Sequence, residues 1–195
     1  MKYLGNTSWH LTNLKQPPES SPTMPDILTH YAASLLVSSR FSKLKHAILI
    51  ALFGLLPDID ALFRVHRWFT HSLLITLCLA AITFAISRKN NPALLKTSAL
   101  ATLLYSLHII MDIFTAPTPI LWPLLPTAIM VSINVDAILN PPHPQLLLNA
   151  SLYQETVDFS PKPFIEGPLI TKTGIILFLV TLIIITSEYV TKRKP

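Results

Sequence analysis

The chain has 195 residues, of which 51% are hydrophobic and 13% charged, and its mean hydropathy is +0.51. Soluble domains usually carry about a quarter charged residues, so a water-soluble globular core is excluded as the main architecture. The net charge of +5 sits in short basic clusters between apolar runs, a membrane-flanking pattern that argues against a nucleic-acid-binding face.

Residues 1–26 are polar, contain Pro17, Pro18, Pro22 and Pro25, and hold no apolar stretch of the secretory type. They predict a disordered tail, with Met24 as an alternative start. From Ile27 to about Leu44 the pattern predicts a helix, apolar on one side, with Arg40, Lys43 and Lys45 at its far end. Residues 46–57 form an apolar run that Pro57 is expected to close, and a polar loop is expected over 58–71. Residues 72–87 are a second strong apolar run, ended by Arg88 and Lys89. Residues 93–114 are a third, with His108 and Asp112 inside it. Residues 115–168 are Pro-rich and patchily apolar, which rules out one regular helix. Leu169 to about Val190 is the clearest spanning helix, followed by Lys192-Arg193-Lys194. The single cysteine, Cys78, lies mid-run and reads as packing. The expected fold is all-α: a polytopic helical membrane protein with four to five membrane helices.

The lysines and arginines set an orientation. Those at 40–45, 88–96 and 192–194 are dense and belong on the cytoplasmic side by the positive-inside rule. Residues 126–168 then form an extracytoplasmic connection. Helix alternation brings His30, Asp58, Asp60, His66, His71, His108 and Asp112 to one extracytoplasmic level. Four of the seven histidines and three of the ten acids thus share a layer.

Ionisable groups at membrane depth are costly and by default suggest a functional site. His108 and Asp112 are four apart on a helix and share a face. Asp58 and Asp60, just past the expected helix end, can aim two carboxylates into the same space. His66 and His71 flank Arg67-Trp68-Phe69-Thr70. Mixed imidazole and carboxylate donors suit zinc, and also manganese or iron. With five or more donors, a two-metal site is conceivable. Each residue also has a plainer reading. His30 can be a cap, Asp58 and Asp60 a turn, His108 with Asp112 a hydrogen-bonded pair, and His66 with Arg67 interfacial groups. Their convergence is what points to a metal. His10, His46 and His143 fall outside the layer.

These residues stand in motifs that resemble a known family. Met24-Pro25 with Thr29-His30 is followed by Gly54-Leu55-Leu56-Pro57-Asp58-Ile59-Asp60. Then come His66-Arg67-Trp68-Phe69-Thr70-His71-Ser72, His108-Ile109-Ile110-Met111-Asp112 and Leu121-Trp122-Pro123. The chain resembles, over about 24–125, the YdjM-like inner-membrane proteins, described as membrane-bound metal-dependent hydrolases. The resemblance implies a metal centre of His30, Asp58, His71, His108 and Asp112, with Asp60 and His66 close by. The family is in turn thought to be similar to zinc-dependent phospholipase C enzymes. The chain departs from the pattern in its polar lead and in Trp68, where a glycine often follows His-Arg; neither change removes a ligand.

The leading expectation is a multi-pass membrane hydrolase, dependent on a divalent metal (zinc, or alternatively manganese), with its site domain over 27–125. The substrate is expected to be a phosphoester or a lipid, and no nucleic-acid partner is expected. Asp60 or His66 would serve as general base or orient a ligand, and Arg67 would hold substrate phosphate. Residues 46–58 would reach only about 20 Å as an α-helix, short of a bilayer core of about 30 Å, leaving the site within reach of lipid headgroups. The rivals are a non-catalytic metal binder or transporter, and a structural protein whose polar layer only fixes helix packing.

Overall fold

The computed structural model of the chain describes residues 26–65, 67–90, 92–138, 145–163 and 168–191. Residues 1–25 of the expected tail, with His10, and His66, His143 and the basic cluster 192–194 lie outside the described residues; Asp26, expected in the tail, is buried at the head of the first helix. The described residues form five α-helices and one β-hairpin: α1 (Ile27–Phe41), α2 (Leu44–Ala51), α3 (Leu73–Asn90), α4 (Pro92–Ile113), β1 (Thr127–Ile138), β2 (Gln145–Thr156) and α5 (Lys172–Thr191). A 3-10 helix, Leu52–Phe63, continues α2, and a short 3-10 turn, Phe69–His71, precedes α3.

Helix α1 begins at an Asp26 cap, whose Oδ1 accepts the Thr29 N–H at 2.7 Å. The same carboxylate accepts the Thr171 N–H, at the entry to α5. At the opposite ends of these helices Arg40 pairs with Glu188. The two helices therefore run parallel, pinned at both ends. Between the pins, Leu35 and Ile185 share a cluster with Ala51. Small residues set the close crossing of α1 on α2 and its continuation. Ala47 and Ala51 are fully buried, and Ser38 donates to the Ala47 carbonyl at 3.0 Å. A side chain at Gly54 would collide with Ser34.

Among the described residues, three helices are long and apolar enough to cross a membrane: Leu44–Phe63, Leu94–Ile113 and Lys172–Thr191. The apolar part of α3, Leu73–Arg88, is shorter, and α1 has 15 residues.

Two expectations are corrected. Pro57 does not close its run. In an α-helix its ring would meet the carbonyl four residues back, whereas the tighter 3-10 pairing carries the chain through it to Phe63. Asp58 and Asp60 are therefore inside a helix and not in a loop beyond one. Nor is the fold all-α, because residues 127–138 and 145–156 pair as an antiparallel hairpin. The prolines of this region bracket the strands and do not interrupt them. Between the brackets Ile129, Val131, Ile133 and Val135 alternate with Met130, Ser132, Asn134 and Asp136, a strand period.

The Pro-rich stretch after α4 folds back across the start of α3. Leu74 N–H donates to the Ile120 carbonyl at 3.3 Å, Ser72 Oγ donates to the Trp122 carbonyl, and Thr118 bridges Ile129 of β1. The root of the hairpin is thereby fixed beside residues 71–74.

Candidate metal centre

Four side chains from three segments converge. The 3-10 helix supplies Asp58, the turn before α3 supplies His71, and the last turns of α4 supply His108 and Asp112. One donor atom from each lies within 4.8 Å of all the others. His108 Nε2 is 3.3 Å from Asp58 Oδ1 and 3.8 Å from Asp112 Oδ2. His71 Nε2 is 3.3 Å from Asp112 Oδ2 and 3.7 Å from Asp58 Oδ1. All but Asp58 are buried, and Asp58 is 16% exposed, so it marks the open side of the cluster.

Neighbouring groups aim these donors. His108 Nδ1 lies 2.7 Å from the Gly54 carbonyl; donating there, it leaves Nε2 as the lone-pair nitrogen facing the cluster. His108 Nε2 has no hydrogen-bond partner although it is buried. His71 Nδ1 is 2.9 Å from Asp60 Oδ2. That oxygen is itself fixed by the Trp68 N–H at 2.7 Å and the Thr70 hydroxyl at 2.5 Å. Tyr105 closes the chain by donating to the Thr70 carbonyl at 2.6 Å. A carboxylate or carbonyl behind each imidazole is the arrangement that orients metal-binding histidines.

The other expected residues are placed as follows. His30 is outside the group of four: its Nε2 is 3.2 Å from Asp112 Oδ1, and its ring stacks on His108 at 3.7 Å. Asp60 stands behind His71. Arg67 Nε lies 3.3 Å from Asp112 Oδ2. Arg67 holds this position with φ 59°, and Arg64 has φ 60°; for residues other than glycine this left-handed conformation is strained. His66 is outside the described residues. Gly54 and Thr70 stand in the motifs, but the sequence does not show their parts, and Tyr105 stands in none, because each acts through the backbone or through another residue.

The donor set suits a divalent cation on two physical grounds. An ion with bonds of about 2.0–2.1 Å in tetrahedral geometry holds its ligand atoms about 3.3–3.4 Å apart; two of the four separations above match this and the other two are 3.7 and 3.8 Å. Charge agrees as well. Asp58, Asp60 and Asp112 against Arg67 leave the buried cluster short of two positive charges when its histidines are neutral, an imbalance too costly to bury uncompensated. His71 reports the same field. Burial disfavours its charged form, but hydrogen bonds with Asp112, Asp58 and Asp60 outweigh burial and raise its pKa to about 10.

Comparison with known proteins agrees in class. The family model described as YdjM inner membrane protein matches residues 24–193. The chain belongs to this family. No curated protein and no solved structure matches it. In this YdjM family member the four converging donors fall well inside the matched span, as does the hairpin. Membrane residence follows both from the family and from the three long apolar helices.

Proposed function

We propose that this YdjM family member is a membrane-embedded, metal-dependent hydrolase of phosphoesters, acting on a lipid. The observation that carries the reading is the Asp58, His71, His108 and Asp112 set, buried except at Asp58, with donor atoms mutually within 4.8 Å. These four residues would hold the metal, with zinc favoured by the mixed nitrogen and oxygen donors. His30, in contact with Asp112 and His108, is the fifth candidate ligand. A bound divalent ion in such a site supplies Lewis-acid activation of water and of a phosphoryl oxygen.

The protein's own groups have distinct parts. Asp60 fixes the tautomer and direction of His71. Arg67, held beside Asp112, presents a cation to a phosphoester oxygen. His66, next to Arg67 in sequence, is the candidate general base. A lipid substrate is supported by a groove of about 330 Å³ lined by Leu56, Thr76, Ala80, Ala101, Thr102 and Tyr105. It adjoins the cluster through the Tyr105–Thr70–Asp60 hydrogen bonds. We further place the site on the extracytoplasmic side of a bundle of four to five membrane helices, on the charge asymmetry of the sequence.

Elemental mass spectrometry of the detergent-purified protein tests this. One or two equivalents of zinc or manganese are expected in the wild type, and loss of metal in both His108→Ala and Asp58→Ala. Absence of bound metal in the wild type after zinc and manganese are supplied would sink the hydrolase reading in favour of a structural polar layer.

A further inference from the structure

The hairpin has two chemically different faces. Its register sets Val131 opposite Leu152, Ile133 opposite Ala150 and Val135 opposite Leu148, and the row continues with Ala137 opposite Leu146. Alternation along a strand puts all of these on one face, which has no polar or charged side chain along this stretch. Ser132 opposite Ser151 and Asn134 opposite Asn149 lie on the other face. Asp136 and Glu155, the only charged residues of the two strands, lie there too. Near the root, Ala128 and Met130 of that second face are buried against the body. The apolar face therefore turns away from the helices, and Ile133, Val135, Leu148 and Leu152 are 54–70% exposed.

A lone two-stranded hairpin is marginally stable in water, and an apolar face of this kind needs a cover. We propose that the cover is lipid: the hairpin lies as an amphipathic element on the surface of the membrane that the helices cross. Two observations choose lipid. First, both ends of the hairpin lead into membrane helices, α4 before it and α5 after it, and the root is tied to the start of α3. The connections carry the apolar surface onward, with Leu124 72% exposed before β1, and Leu169 68% and Ile170 65% exposed before α5. Second, the face is too small for a second copy of the chain. Two strands about 4.8 Å apart, apolar over about 25 Å of length, offer on the order of 250 Å². A stable protein interface takes about 800 Å² from each partner. A lipid surface needs no such area, because the flanking helices already hold the hairpin there.

The test uses the full chain in lipid vesicles, with Cys78→Ser as background. Single cysteines are introduced by Ile133→Cys, Leu148→Cys, Ser132→Cys and Asn149→Cys and labelled with the environment-sensitive dye NBD. Dye at 133 and 148 is expected to emit at shorter wavelength. It should also be quenched several-fold more by shallow spin-labelled lipid than dye at 132 and 149. Equal quenching on both faces, or none at 133 and 148, overturns the proposal. So does efficient disulfide cross-linking between copies through position 148, which would name a second copy as the cover. An unlabelled variant guards against dye artefacts: Ile133→Lys with Leu148→Lys should raise protease cleavage within 127–156 several-fold in vesicles. Unchanged cleavage of that variant also counts against lipid contact.

Discussion

Asp60 shows how one residue can matter without facing the centre. Its Oδ2 gathers the Trp68 N–H, the Thr70 hydroxyl and His71 Nδ1, so the direction of the His71 ring depends on it. Asp60→Asn keeps the shape and removes the charge, and an amide in that position can present a donor to His71. Loss of a group that orients a metal-binding histidine typically weakens metal affinity about 10–100-fold, and we expect that range for zinc measured by competition with a chromogenic chelator. Unchanged affinity would mean that His71 is held by packing alone. Much at this scale was legible in the sequence. His108 and Asp112 announce themselves by their spacing in an apolar run, and Asp58 with Asp60 by their motif. The partner of His108 did not, since a backbone carbonyl at Gly54 has no signature. Gly54 is itself explained by contact: its hydrogen faces Ser34, where any larger group would strike that side chain.

Among the elements, α1 and α5 share one carboxylate. Asp26 accepts N–H groups from the first turn of α1 and from the entry to α5, and the hydrogen of Gly174 leaves the room it needs. Asp26→Asn retains a capping oxygen for α1 but cannot serve both donors equally. A buried hydrogen bond to a charged group contributes about 1.5–3 kcal/mol, so a lower melting temperature in detergent is expected. The effect should depend on pH. Burial pushes the Asp26 pKa up, but its hydrogen bonds with Thr29 and Thr171 outweigh this and hold it below the ordinary carboxylate value. The stabilisation is then complete above the unfolded-state pKa and is lost as pH falls through the folded one. The gap between wild type and Asp26→Asn should narrow on acidification; a gap constant with pH would assign the effect to shape. The elements themselves were less legible than the site. The 3-10 helix hid behind Pro57, which ordinarily ends an α-helix. The hairpin is hidden by the proline density of residues 115–168, which brackets the strands without entering them, although the alternation from Ile129 to Asp136 is plain in the sequence.

For the whole molecule, a metal at Asp58, His71, His108 and Asp112 would join α4, the 3-10 helix and the entry to α3 at a single point. A ligand that binds only the folded state stabilises it by about 4 kcal/mol at a thousand times its dissociation constant. Chelation should therefore lower the melting temperature of the wild type and leave His108→Ala unmoved. Equal responses would place any metal elsewhere.

The change of helix type within Leu44–Phe63 also sets a depth. Eight residues of α2 rise about 1.5 Å each, and the seven 3-10 residues from Leu52 to Asp58 about 2.0 Å each. Asp58 thus stands about 26 Å along the axis from the start of the span, where a continuous α-helix would leave it at about 22 Å. Against a hydrocarbon thickness of about 30 Å, the tighter winding acts as a built-in extension. It lifts Asp58 about 4 Å further toward the far end of the span, the depth at which the proposed lipid substrate would present its ester linkage while its tails stay in oil.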